Sequence, residues 1–284
     1  MIPNYPETAA LILAMRETLH PLFQKLPDGI SEFTFANLYL FRQTHQYSIC
    51  HLGEASVVTG MDDGVPFFML PFGLLNKGQM DALFANYTAM KCVSESQAGQ
   101  LSEMGYKIAE DRDNFDYLYS RQDLSELTGK KFHKKRTHLK AFLNNYNYEG
   151  RPLLEEHIPD AIHILDSWRQ NRDEPGDYDA AREALEKAEE LQLCGGIYYV
   201  EGKPVAYSLG EELSLGRSFV VHFEKAVKEY KGLWQFVNQA FASILPEIYD
   251  TVNREQDLGN AGLRKAKLGY RPVDFIKKYR VTAR

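Results

Sequence analysis

The chain has 284 residues, 44% of them hydrophobic and 12% aromatic, enough for a large core or for two domains of about 140 residues each. With 33 Lys plus Arg against 39 Asp plus Glu, the net charge is −6, which excludes a protein that coats nucleic acid or anionic membrane through its overall charge. No long stretch is rich in Pro, Ser or Gln, which excludes extended disorder.

The opening residues, MIPNYPETAALILAM, lack a basic start and carry Glu7, so they do not read as a secretory signal. Apolar periodicity at Leu11, Met15, Leu19 and Leu22 predicts a first helix that ends near Pro27-Asp28-Gly29. A second helix is predicted at Glu32–Arg42 with Ser31 as its N-cap. Strands follow in YSICHLG, ASVVTG and PFFMLPFG, the last two joined through Asp63-Gly64, a hairpin dipeptide. PFFMLPFGLL is the longest apolar run, and it is about half the length of a membrane span. A helix over 77–90, a short strand near Met90–Val93, a helix at Ala98–Met104 and a Tyr-rich strand at 115–120 complete the first half.

Residues 130–140 carry six cations and no acid, which predicts a basic connecting helix over 126–150. The second half restarts with helices at 156–170 and 177–191, the latter acidic on its outer face. Strands are predicted in GGIYYVEG, KPVAYSLGEEL and RSFVVHFEKAV, then a helix at Gly232–Ile244 and a strand at 248–254. A short helix at Gly259–Leu268 and a strand at Val273–Arg280 end the chain. Helices, an antiparallel meander, helix, strand, helix and strand make an α+β layer fold, the order of an N-acetyltransferase-like module. Two tandem modules are expected, each a mostly antiparallel mixed sheet flanked by helices, over 1–125 and 151–284.

The sequence contains no GxSxG, GxxxxGK[ST], HExxH or CxxC pattern, and Cys50, Cys92 and Cys194 have no metal-ligand spacing. Neither a metal nor a tightly bound cofactor is expected, and the cysteines read as buried small hydrophobes in a reducing compartment.

Three segments can carry chemistry. In NREQDLGNAGLRKAKLGYRP, the polar run Asn253, Arg254, Glu255, Gln256 and Asp257 follows an apolar strand, so it belongs at a strand's carboxyl end, where open sheets bind ligands. Gly259 allows tight backbone near a helix start, whose free N–H groups favour anions, and Arg264, Lys265 and Lys267 follow as cations. In HFEKAVKEYKGLW, Glu224 and Lys225 sit at a strand terminus and Gly232 opens a helix. An acetyltransferase would cradle a pyrophosphate there through [RQ]-x-x-G-x-[GA]. Here Glu229 and Trp234 take the outer positions, one repelling phosphate and the other blocking close approach. In the basic segment, Lys131 and Arg136 can face phosphates.

Four stretches resemble the bacterial phosphatidylglycerol lysyltransferase C-terminal-domain-like family. They are SEFTFANLYLFR at 31–42, DNFDYLYSRQDLSELTGKKFHKKRTHLKAF at 113–142, VHFEKAVKEYKGLWQFVNQAF at 221–241 and VNREQDLGNAGLRKAKLGYRPVDFIKKYRV at 252–281. The resemblance implies a tandem N-acetyltransferase-like fold with the active groove in the second module. It also implies aminoacyl transfer from charged tRNA, to a lipid head group in the characterised members and to peptidoglycan precursors in related transferases. Family pattern residues match at Lys131, Arg136, Glu224, Lys225, Asn253, Arg254, Glu255, Asp257, Gly259, Arg264, Lys265 and Lys267. Lipid-modifying members carry a multi-span membrane domain that these residues do not contain. A soluble acceptor, or one reached at the membrane surface, is therefore expected.

The sequence thus reads as a cytoplasmic acyl or aminoacyl transferase taking an ester donor and an amine- or hydroxyl-bearing acceptor. Glu255 or Asp257 is the expected general base, with Glu224 in reserve. Lys225, Asn253, Arg254, Lys265 and Lys267 are expected to bind phosphates or steady the oxyanion. Partners on this reading are charged tRNA or a phosphate-bearing small molecule. The alternatives are acyl-CoA-dependent N-acyl transfer in a remodelled site, and a non-catalytic binding module of the same fold.

Overall fold

The computed structural model describes residues 1–170 and 172–283. Along the chain come β1 (Ala9–Ala10), α1 (Arg16–Phe23), α2 (Phe35–Leu40), β2 (Ser48–Leu52), β3 (Ala55–Asp62), β4 (Val65–Met69), α3 (Lys77–Phe84), β5 (Ala89–Val93), α4 (Glu95–Glu103) and β6 (Lys107–Glu110). Then follow β7 (Asp116–Ser120), α5 (Arg121–Glu126), α6 (His133–Asn145), β8 (Tyr148–Pro152), α7 (Ile158–Gln170), α8 (Tyr178–Glu186), β9 (Cys194–Val200), β10 (Lys203–Leu213), β11 (Ser218–Ala226), α9 (Leu233–Ile244), β12 (Thr251–Asn253), α10 (Ala261–Leu268), β13 (Asp274–Ile276) and β14 (Tyr279–Thr282).

The strands form two seven-stranded mixed sheets with one shared pattern, β1-β2-β3-β4-β5-β14-β6 and β8-β9-β10-β11-β12-β7-β13. In each, an antiparallel meander leads to one parallel step, β4 to β5 and β11 to β12. The sixth place is filled from the other half of the sequence: β14 lies between β5 and β6, and β7 between β12 and β13. Two expectations change as a result. The Tyr-rich strand at 115–120 does not close the first sheet but pairs with β12, Tyr119 opposite Val252. The single strand expected at Val273–Arg280 is two short strands, one per sheet.

By internal contacts, one compact unit comprises Met1–Asp116, Gln256–Asn260 and Phe275–Arg284, and the other Tyr117–Glu255 and Ala261–Asp274. The expected connector 126–150 lies wholly within the second unit, as α5, α6 and β8.

Local chemistry explains most element starts. α3 and α4 open on capping boxes, Asn76 with Gln79 and Ser94 with Gln97. Asp63 and Gly64 both have positive φ, as the two-residue turn between β3 and β4 requires. α2 is capped by Thr34, whose hydroxyl accepts the Asn37 N–H at 3.0 Å, and not by Ser31. Ser31 is fully buried and gives both its N–H and its hydroxyl to Asp116, each at 2.9 Å. The first helix starts later than its periodicity suggests, because Ala9 and Ala10 pair with Ile49 and Ser48 at the sheet edge.

The first unit's core includes Val57, Phe68, Met80, Leu83, Met90 and Leu101, and the C-terminal strand adds Val281. In the second unit Ile197, Tyr207, Leu209, Phe219, Phe223 and Val237 are buried, with Ala181 and Leu185 of α8 facing inward. Cys50 and Cys92 are buried as expected, whereas Cys194 is exposed.

Candidate functional site

The second unit's parallel strands part early. β11 and β12 pair only through Ser218–Thr251, Phe219–Val252 and Val220–Asn253. Beyond Asn253 the chain follows β7 instead: the Arg254 N–H donates to the Tyr117 carbonyl at 3.0 Å, and the Tyr117 N–H donates to the Glu255 carbonyl at 3.2 Å. β11 continues to Ala226, so side chains rather than backbone bonds bridge the gap. The two bridges are His222 to Glu255 and Glu224 to Arg254.

His222 is the extra residue of a β-bulge, since Phe223 pairs with Leu209 and Val221 with Gly210. Gly210 permits that close approach, because a Cβ there would lie 1.9 Å from the Val220 carbonyl oxygen. The buried imidazole meets Glu255 Oε1 through Nδ1 at 2.7 Å and Glu211 Oε1 through Nε2 at 3.0 Å. Burial by itself would lower the His222 pKa, but the hydrogen bonds and charges of Glu211 and Glu255 outweigh it and raise the value to about 10. At neutral pH the group is therefore an imidazolium, held between the Glu211 and Glu255 side chains. Of the two, Glu211 is closed off and Glu255 reaches solvent, with side chains 5% and 18% exposed.

Glu255 has a left-handed backbone, φ 54°, which a non-glycine residue holds only when its surroundings impose it. Three groups do so. Buried Asn253 accepts the Glu255 N–H at 2.8 Å through its side-chain oxygen, and the Tyr117 N–H binds the Glu255 carbonyl. The Lys267 ammonium donates to the carbonyls of Arg254 and Glu255, the latter at 3.0 Å. Lys267 is itself fixed from β7, where the Tyr119 hydroxyl donates to its carbonyl at 2.9 Å.

Lys225 is buried and binds both oxygens of Asp177 at 2.7 Å, with its ammonium 4.1 Å from the centre of the Trp168 ring. Burial draws its pKa below the ordinary lysine value. Arg254 meets Glu224 at 2.7 Å, and Asn238 of α9 also donates to Glu224. A small cavity beside this pair is lined by Leu124, Val221, Phe241 and Val252.

Asp257, Lys131 and Arg136, also expected in the site, have structural partners instead. Asp257 falls in the first unit, fully buried, where it accepts the Gly259 N–H at 2.9 Å and pairs with Arg112 at 3.4 Å. The Gly259 N–H is therefore not free for an anion, and a Cβ on Gly259 would lie 3.0 Å from a carboxylate oxygen of Asp113. Lys131 pairs with Asp123 on an exposed face. Arg136 donates to the carbonyls of Leu127 and Gly129, closing the turn after α5. Arg264 is half-buried and Lys265 exposed on α10, a helix without a buried residue. Gly232 has φ 88°, and a Cβ there would come 2.3 Å from the His138 carbonyl oxygen of α6. The α6 backbone thus packs directly against this turn.

Sequence reasoning passed over Glu211, His222 and Asp177 as site residues. The signal for His222 was a lone imidazole inside the apolar strand SFVVHFEKA. Nothing local distinguishes Glu211 from its neighbour Glu212. Among the described residues no cluster of His, Cys, Asp and Glu is arranged to hold a metal, and no helix is long and apolar enough to cross a membrane.

A conserved protein of unknown function from Bacteroides thetaiotaomicron matches over the whole of both chains, with 31% identity and a TM-score of 0.89. L-PGS from Bacillus licheniformis matches all of this chain and 94% of its own, at 15% identity and a TM-score of 0.65. A tandem GNAT protein from the clavulanic acid biosynthesis pathway matches 98% of each chain at 11% identity and a TM-score of 0.53, which shows the tandem N-acetyltransferase-like fold. An uncharacterised protein of Mycoplasmoides gallisepticum is 25% identical over 178 residues, 58% of this chain. The match covers 55% of that protein, so the chain spans about half the length of this curated relative. The family model for the C-terminal region of phosphatidylglycerol lysyltransferase matches residues 23–282, and the chain belongs to that family.

Proposed function

We propose that this protein moves an aminoacyl group from an ester donor, an aminoacyl-tRNA, to an amine- or hydroxyl-bearing acceptor in the cytoplasm or at the membrane surface. The observation that carries this reading is Glu255: a partly exposed carboxylate at the parting of two parallel strands, in an imposed left-handed backbone, against a buried imidazolium. The family supports it, as does the likeness in fold to L-PGS.

In the proposed reaction the acceptor nitrogen or oxygen attacks the ester carbonyl carbon. Glu255 takes the proton of the attacking atom, held in place by its hydrogen bond to His222. The bond to the ribose oxygen then breaks, and that oxygen receives the proton. Lys225, whose charge reaches Glu255, steadies the oxyanion. Arg254 and Lys265 engage donor phosphates, while Asn253 and Lys267 hold the Glu255 backbone. Glu224 orients Arg254, and Asp257 anchors the following loop.

The acyl-CoA alternative is weakened by α6 backbone lying against Gly232. Mixed aminoacyl-tRNA incubated with the protein and candidate acceptors tests the proposal. Acceptor-dependent loss of the ester supports transfer. Stabilisation by a CoA thioester alone would favour N-acyl transfer, and the absence of any turnover would leave the binding module.

A further inference from the structure

Lys135 stands apart from the other cations of the basic segment. Among the described residues no carboxylate lies within ion-pair distance of it. Its ammonium sits 3.7 Å from the centre of the Tyr270 ring, and Arg254 lies 5.6 Å from the same centre. The Tyr270 hydroxyl is buried beside the Gln235 side chain and makes no hydrogen bond of ordinary geometry among the described residues. Gly269 lies beside this cation, since a Cβ there would come 3.4 Å from Lys135 Nζ. Glu224 is the only described carboxylate that pairs with this group, and it is held by Arg254. Burial and the Arg254 charge lower the Lys135 pKa, the condition that an incoming anion relieves.

We infer that Lys135, Arg254 and the Tyr270 hydroxyl form a subsite for a phosphate group of the donor substrate. Two cations and one hydroxyl match the charge and the several acceptor oxygens of a phosphate, and a single carboxylate leaves one positive charge uncompensated. The identity of the donor rests on the transfer reading; the anion site rests on this geometry alone.

The test is calorimetric titration with inorganic pyrophosphate, the trinucleotide CCA and coenzyme A. The wild type is compared with Lys135→Gln, Lys135→Arg and Glu255→Gln. Pyrophosphate should bind the wild type, more weakly at high salt, and Lys135→Gln should lose roughly ten- to a hundredfold in affinity. Lys135→Arg and Glu255→Gln should keep most of it. The unliganded melting temperature of Lys135→Gln should not fall, because no carboxylate loses its partner. A Lys135-dependent gain with CCA assigns the site to an RNA 3′ end, and the same gain with coenzyme A assigns it to CoA phosphates. Absence of pyrophosphate binding by the wild type, or equal binding by Lys135→Gln, overturns the subsite. Lys135-dependent pyrophosphate binding without aminoacyl transfer would leave the subsite standing and sink the transfer reading instead.

Discussion

Cys92 and Glu255 hold the same place in the two sheets. Each stands two residues beyond the last residue that its strand pairs in parallel, Met90 in β5 and Asn253 in β12. Each has a left-handed backbone, with φ of 53° and 54°. One place in the shared pattern carries a buried thiol, raised well above its ordinary pKa by burial, and the other a partly exposed carboxylate bound to His222. Only the second presents a side chain that reaches solvent.

Glu255→Gln should lower transfer by about 10²–10⁴-fold, the usual contribution of a positioned base. Cys92→Ser should leave turnover unchanged and affect only stability. Steady-state rates with charged tRNA, with melting curves for both variants, check this. A Glu255→Gln variant at wild-type rate would remove the proposed base.

His222 makes stability depend on pH in a fixed direction. Its folded pKa, about 10, lies above the ordinary 6.5. Its contribution is therefore fully present below about pH 6.5 and is lost as pH rises through the folded value. The melting temperature of the wild type minus that of His222→Gln should fall steadily from pH 6.5 to 10. A flat difference over that range would show that the imidazole is neutral.

Lys278 is fully buried between Asp116 and Glu32, with Asp116 Oδ1 at 2.7 Å and Ser31 beside them. Asp116 begins β7 and Lys278 precedes β14, so this ion cluster sits where the chain enters both exchanged strands. Lys278→Met leaves the buried Asp116 carboxylate facing the partly exposed Glu32 and should destabilise the first unit by about 3–5 kcal/mol. Hydrogen exchange at Val281 and denaturant midpoints measure it. Asp116→Asn should cost less, because Glu32 still binds the lysine.

Gly232→Ala brings a Cβ against the His138 carbonyl at a positive φ, and should destabilise by more than about 1 kcal/mol. Thermal unfolding of the variant checks this. A wild-type melting point unmoved by acetyl-CoA would agree with a turn closed to pyrophosphate.

Much of this molecule was legible in its residues. The hairpin pair Asp63-Gly64 marked its turn because few residues accept positive φ. Spacing placed α7 and α9 to within a few residues, since their apolar faces repeat at the helical period. The polar run after an apolar strand located Asn253, Arg254 and Glu255 at a strand end, and the resemblance of four stretches gave the family. Tertiary structure decided the rest. Whether Arg136, Lys131 or Asp257 meets a ligand depends on a partner elsewhere in the fold, and each was found already engaged. The exchange of β7 and β14 pairs residues more than a hundred positions apart, as Tyr119 with Val252 and Tyr279 with Val93. The link from Glu211 through His222 to Glu255 depends on a bulge and on the early parting of β11 and β12. Local preference is written in neighbouring residues, whereas strand pairing and charge neutralisation join side chains whose separation along the chain carries no signal.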